Sequence, residues 1–244
     1  MSKPKIPLCA KCPKRTCHPL GKIAKTRVEI ENAPVFCPMK ISAKALEKAL
    51  AKYQKKNVRE FARQASIQEA ECYEWIAGKL RTKIPRIEET IQFAKKMNYK
   101  KLGLAFCLGL ANEALIINKI LENEGFEVVS VCCKTGGIPK ENIGLKPNQK
   151  IGASDSYEVM CNPIAQAEVM NEEKPDWVIL LGLCVGHDTL FIKYCRQPIT
   201  ALAVKDRVLG HNPLAALYLS ETPYYGRLSP RKEGPLAPQP PQSK

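Results

Sequence analysis

The chain has 244 residues, 45% of them hydrophobic, and carries 38 Lys/Arg against 24 Asp/Glu for a formal net charge of +14. That is enough chain and enough apolar material for one sizeable domain and a small one. Met1 to Leu8 lacks the apolar run of a secretory signal, and the longest apolar stretch, Trp177 to Gly186, is about half of a membrane span, so export and membrane insertion are set aside.

Residues 1–60 hold 15 Lys/Arg against 4 Asp/Glu, whereas residues 61–244 hold 23 against 20, so the basic charge belongs to the N-terminal part. The same part opens a set of eleven cysteines. Without an export signal these are expected to be thiols or metal ligands of a cytoplasmic protein, not disulfides. Cys9, Cys12, Cys17 and Cys37 form a C-x2-C-x4-C pattern with a fourth Cys later in the chain. A Cys-x-x-Cys turn presents two sulfurs to one tetrahedral centre that the later cysteines can close, which predicts a structural zinc module over residues 1–41. The segment has few large apolar residues, so a metal would supply folding energy its core cannot. His18 is the less favoured fourth ligand, an iron–sulfur cluster also suits four sulfurs, and a flexible arm with incidental thiols is the bland alternative.

Residues 42–98 read as helical. Ser42 is placed to cap a helix carrying Leu46, Ala49, Leu50 and Tyr53 on one face. Lys44, Lys48, Lys52, Lys55 and Arg59 form a stripe that could meet nucleic-acid phosphates or, as is commoner, face solvent. Asn57 and Glu60 have capping-box spacing and open a second helix expected to end near Gly78, with Cys72 inside it as a core thiol. Pro85 starts a third.

Residues 99–225 alternate strand and helix: strands at Lys101–Cys107, Phe126–Cys133, Asp176–Leu183 and Pro198–Lys205, with helices from Asn112, from Pro163 behind an Asn162 cap, from Asp188 and from Pro213. This predicts an α/β fold, a doubly wound, mostly parallel, Rossmann-like sheet of about four strands with right-handed crossovers. The Pro-rich residues 226–244 read as a disordered tail.

In such a fold the carboxyl ends of the strands share one crevice. Cys107, Cys133, Cys161 and Cys184 are therefore expected to converge as a second site for zinc or an iron–sulfur cluster. Adjacent strand residues face opposite ways, so only one of Cys132 and Cys133 can join; Cys133 lies nearer the loop. Gly136, Gly137, His187, Asp188, Lys205, Asp206, Arg207, His211 and Asn212 are the candidate binding residues for a small molecule or anion. Cys161, His187 and His211 each precede or open a helix start, where thiolates and anions are stabilised. Strand cysteines also serve as small core hydrophobes, the reading preferred for Cys195, and either His could merely satisfy a loop.

The strings RIEETIQFAKKMNYKKLGLAFCLGL, CCKTGG, CNPIAQAE, LGLCVGHD and VKDRVLGHNPLAALY resemble the domain of unknown function 1847 family, uncharacterised prokaryotic proteins usually labelled metal-binding. The resemblance implies the N-terminal cysteine site and supplies no reaction. The residues themselves point to a metal-binding protein with redox or thiol chemistry ahead of hydrolysis, since four sulfurs leave no open position for water. The competing class is a nucleic-acid-binding or metabolite-sensing module using the basic N-terminal part. Nothing in the sequence specifies an oligomeric state.

Overall fold

The computed structural model describes residues 6–18, 30–152 and 155–228. The chain divides into two units, Met1–Glu71 and Cys72–Lys244.

In the first unit a short turn of helix, α1 (Pro38–Ile41), leads into α2 (Ala43–Tyr53) and α3 (Lys56–Glu71). Ser42 occupies the cap position of α2 without a side-chain bond. The turn between α2 and α3 is closed instead by Arg59, whose guanidinium donates to the carbonyls of Tyr53 and Gln54 and to Gln54 Oε1. The expected capping box does not form. Helix α3 already starts at Lys56, and the Glu60 carboxylate accepts from Arg63 and Gln64.

The second helix also stops sooner than its sequence suggested. After Glu71 the chain enters a hairpin of β1 (Tyr73–Ile76) and β2 (Lys79–Thr82), paired Tyr73 with Thr82 through Ile76 with Lys79. Ala77 and Gly78 both have positive φ, 50° and 73°. Two left-handed residues between paired strands are the two-residue hairpin turn whose twist matches the strands. Gly78 thus serves a turn, not a helix end, and Cys72 is half-buried just before the hairpin.

Helix α4 (Arg86–Lys96) then packs Phe93 on Trp177, ring centroids 5.1 Å apart. The sheet follows: β3 (Lys101–Phe106), α5 (Ala111–Asn123), β4 (Glu127–Cys132), α6 (Pro163–Glu173), β5 (Trp177–Leu181), α7 (His187–Tyr194), β6 (Ile199–Ala203) and a last short helix, α8 (Leu214–Tyr218). All pairings among β3 to β6 are parallel and the order is β4-β3-β5-β6, an α/β sheet of Rossmann-like type. The apolar strand residues that the sequence offered form the core, with Leu102, Leu104, Val178 and Ile179 fully buried.

Strand alternation separates the two faces. Helix α5 packs on β3 and β4. A core cluster joins Ala105, Cys107, Val131, Cys133, Val178 and Leu180 to Ala167 and Met170 of α6 and Phe191 of α7. Gly103 belongs to that second face: a Cβ there would stand 2.7 Å from Met170 Sδ, so the glycine lets α6 cross close to the sheet. The cysteines at the ends of β3 and β4 therefore lie on the same face as the helices that begin after Cys161 and at His187. Residues 229–244, most of the expected tail, lie outside the described residues; Gly226–Leu228 form a single turn of 3-10 helix.

Candidate functional site

Register brings the strand ends together. Phe106 pairs with Cys132 on one side and Leu181 on the other. The ladder continues past the strands: Cys107 N–H donates to the Leu181 carbonyl, Cys133 N–H to Phe106, Asn162 N–H to Cys133 and Gly182 N–H to Ala203. Cys133, Cys107 and the Gly182–Cys184 segment thus leave the sheet side by side. Order β4-β3-β5 means the chain departs from β3 in both directions, and the crevice between β3 and β5 is where such sheets bind ligands.

Cys161 reaches this edge through the start of α6. Asn162 caps that helix, its Oδ1 accepting the Ala165 N–H at 3.1 Å, and Pro163 occupies the first turn. Inside the same turn Gln166, fully buried, donates from Nε2 to the carbonyls of Phe106 (3.1 Å) and Val131 (2.7 Å). It ties α6 to the ends of both strands, while its Oε1 has no partner among the described residues.

The sulfurs are unequal. Cys133 is 2% exposed, and Cys161 is partly exposed. The Cys133 thiol donates to the Cys161 sulfur, which together with burial holds Cys133 above the ordinary thiol range, although the Leu108 N–H also donates to it at 3.3 Å. Cys161 is lowered to about 5, first by that hydrogen bond and then by the charges of Lys134 and His187, against the cost of burial. The two thiols are thus pushed in opposite directions, Cys133 up and Cys161 down. Lys134 is fixed by donating to the Val159 carbonyl at 2.6 Å, and His187 has a buried Nδ1 without a partner among the described residues.

On the β5–β6 side, Arg207 donates to Cys184 Sγ at 3.0 Å. Lys205 Nζ extends toward the loop after β3, where a Cβ on Gly109 would lie 3.1 Å from it. It has no ionic or hydrogen-bonding partner among the described residues. Asp206 turns inward on its own loop: its carboxylate accepts from Val208 and Leu209, and its N–H donates to His211 Nδ1. Asn212 accepts the Ala215 N–H through its backbone, and Asp188 accepts from Thr189. Gly136 and Gly137, with φ of 97° and 61°, turn the chain after β4 into an excursion over residues 134–160. Lys140–Glu158 and Lys150–Glu141 ion pairs and a Pro139–Val159 bridge pin that excursion. Lys134 and Gln166 were not singled out in the sequence. A Gln beside Ala167 in the first turn after the Asn162-Pro163 helix start is the one local signal for the second.

In the first unit Cys9, Cys12, Cys17 and Cys37 line one cavity of about 70 Å³ with Arg15, Thr16, Pro34 and Phe36. The Arg15 N–H donates to Cys12 Sγ at 3.3 Å. Much of the Cys17–Cys37 connection, residues 19–29, lies outside the described residues. The four sulfurs share this cavity as donors of the type zinc takes, but their arrangement does not form a metal site. Among the described residues no group of three or more His, Cys, Asp or Glu side chains is arranged to hold a metal ion.

A sequence model described as protein of unknown function (DUF1847) matches residues 37–202. The chain belongs to this family. The matched span contains Cys37, Cys107, Cys133, Cys161, Cys184 and His187, and it excludes Cys9, Cys12, Cys17 and the Lys205–Asn212 loop. A relative, the uncharacterized protein MJ0455 of Methanocaldococcus jannaschii, is 48% identical over 170 residues, which cover 70% of this chain and 84% of the relative. No helix among the described residues is long and apolar enough to cross a membrane.

Proposed function

We propose that this DUF1847 protein is a sulfur-centred, cytoplasmic protein: a structural zinc held by Cys9, Cys12, Cys17 and Cys37, and an α/β unit whose Cys161 thiolate acts on a small anionic substrate. The observation that carries the second part is the Cys133–Cys161 pair beside Lys134 and His187. A thiolate is the reactive form of cysteine, and a neighbouring thiol and the Lys134 cation stabilise it. Lys205 and Arg207, neither of which meets a carboxylate among the described residues, supply further positive charge at the same sheet edge. At the N-terminal site the zinc would contribute folding energy.

A second reading has its own support. Cys107 lies close enough to raise Cys133, and Cys184 packs against the same core cluster, so four sulfurs are available to zinc or an iron–sulfur cluster.

Two alkylating agents of nearly equal size test the anionic substrate. The ratio of iodoacetate to iodoacetamide rates at one residue cancels its thiolate fraction and reads the local charge. The ratio at Cys161 is expected to exceed that at Cys195 and to fall about fivefold in Lys134→Gln, the effect of removing one charge that contributes about 1 kcal/mol. Equal ratios at Cys161 and Cys195 would refute an anion-binding site.

A further inference from the structure

We propose that Cys133 and Cys161 are a redox dithiol, with Cys161 the attacking and Cys133 the resolving cysteine toward low-molecular-weight disulfides. This rests on the thiol-centre reading and goes beyond it, because a nucleophile alone needs no second sulfur.

The placement of the two residues carries the argument. The Asn162 N–H donates to the Cys133 carbonyl at 2.8 Å, so the segments bearing the two cysteines are hydrogen-bonded neighbours. Backbones so paired lie about 5 Å apart, inside the Cα separation of about 4.4–6.8 Å that a disulfide spans. The two side chains share one buried neighbourhood, Cys161 packing against the core cluster to which Cys133 belongs. Burial divides their work: a disulfide from solution can reach the partly exposed Cys161, whereas Cys133, 2% exposed, can be reached only from inside.

The excursion between them favours closure. Cys133 and Cys161 stand at its two feet. Lys150, whose side chain is 0% exposed, binds both Glu141 and the Ser156 carbonyl within it. Lys134 spans its base to the Val159 carbonyl. With the feet already held together, forming the bond costs little further chain ordering.

The reaction balances as two exchanges. The Cys161 thiolate attacks RSSR, forming Cys161–S–S–R and releasing RS⁻. Cys133 then gives its proton to the departing thiolate and its sulfur attacks Cys161 Sγ, breaking the mixed disulfide and releasing the second thiol. The protein loses two electrons and the small disulfide gains them.

The full-length chain, reduced and kept free of oxygen, is treated with glutathione disulfide, trapped with iodoacetamide and mapped by peptide mass spectrometry. The expected product is a Cys133–Cys161 linked peptide. Cys133→Ser should stop at a glutathione adduct on Cys161, and Cys161→Ser should leave Cys133 without an adduct. A stable Cys161 adduct in the unmutated chain, or a Cys107–Cys161 link, would overturn the dithiol while leaving the thiol centre standing. If neither glutathione disulfide nor iodoacetamide modifies Cys161 in a chain of native circular dichroism, both fall. Modification of Cys161 only after a chelator has removed a bound metal would overturn the dithiol and favour the metal reading.

Discussion

Replacing Cys133 with alanine removes the donor that does most to stabilise the Cys161 thiolate. A hydrogen bond to a charged group contributes about 1.5–3 kcal/mol, and one pKa unit corresponds to about 1.4 kcal/mol. The Cys161 midpoint should therefore rise by about one to two units, from about 5 into the range of about 6 to 7. Cys133→Ser keeps an O–H donor and should return most of the shift. The assay is the pH dependence of iodoacetamide alkylation at Cys161, resolved by peptide. Rate at neutral pH alone decides little. A low-pKa thiolate is more abundant but intrinsically less nucleophilic, and with a Brønsted slope of about 0.4–0.5 these effects nearly cancel at pH 7 for a shift of about 3.5 units. The profile is diagnostic: Cys161 should be flat above about pH 6, while an ordinary thiol climbs about tenfold per unit toward pH 8.5. A midpoint near 8.5 in the unmutated chain, or one that Cys133→Ala leaves in place, would refute the reasoning.

Other outcomes follow from the same geometry. The lowered Cys161 and raised Cys133 give the pair a signed pH dependence of stability: the thiolate's contribution is present above the ordinary thiol pKa and lost as pH falls toward about 5. The retained Cys133 proton disfavours folding relative to an ionised unfolded thiol at higher pH, so urea midpoints compared with the Cys133→Ala/Cys161→Ala double variant should show a maximum contribution near pH 9; a contribution flat from pH 5 to 10 would contradict the opposed shifts. Gly182→Ala should cost about 2–4 kcal/mol in urea unfolding, because Gly182 has a φ of 63° and its new Cβ would lie 2.0 Å from Leu110 Cδ1; an unchanged midpoint would mean Leu110 can move aside freely. Lys44, Lys48 and Lys52 lie exposed on α2 with no ion-pair partner among the described residues. If that face binds nucleic acid, retention at low salt should weaken with salt and drop in the triple Gln variant, and absence of retention at low salt would remove nucleic acid as a partner.

The α/β half was legible because its information is local. Apolar runs bounded by Gly and Asn-Pro gave four strands to within two residues, and Cys133, singled out as nearer the loop, is buried in the cluster with Val131 and Cys107, against which Cys132 also packs. Asn162 could be read as a cap because a cap contacts its own helix. The hairpin was not legible, since Tyr73–Ile76 continues an apolar pattern that also suits a helix, and only pairing with Lys79–Thr82 decides between them. Gln166 and Lys134 were missed for a related reason. Their partners, Phe106 and Val131 for one and Val159 for the other, are distant in sequence. His211 was a candidate from its Asn-Pro neighbour, and what the sequence did not show is that its Nδ1 accepts the Asp206 N–H within its own loop.

The division of labour between the two groups of cysteines is tested most directly by elemental analysis of protein purified without oxygen, compared across two variants. The account predicts one zinc per chain, lost in Cys12→Ser and kept in Cys161→Ser. Zinc or iron that disappears with Cys161→Ser and survives Cys12→Ser would contradict it.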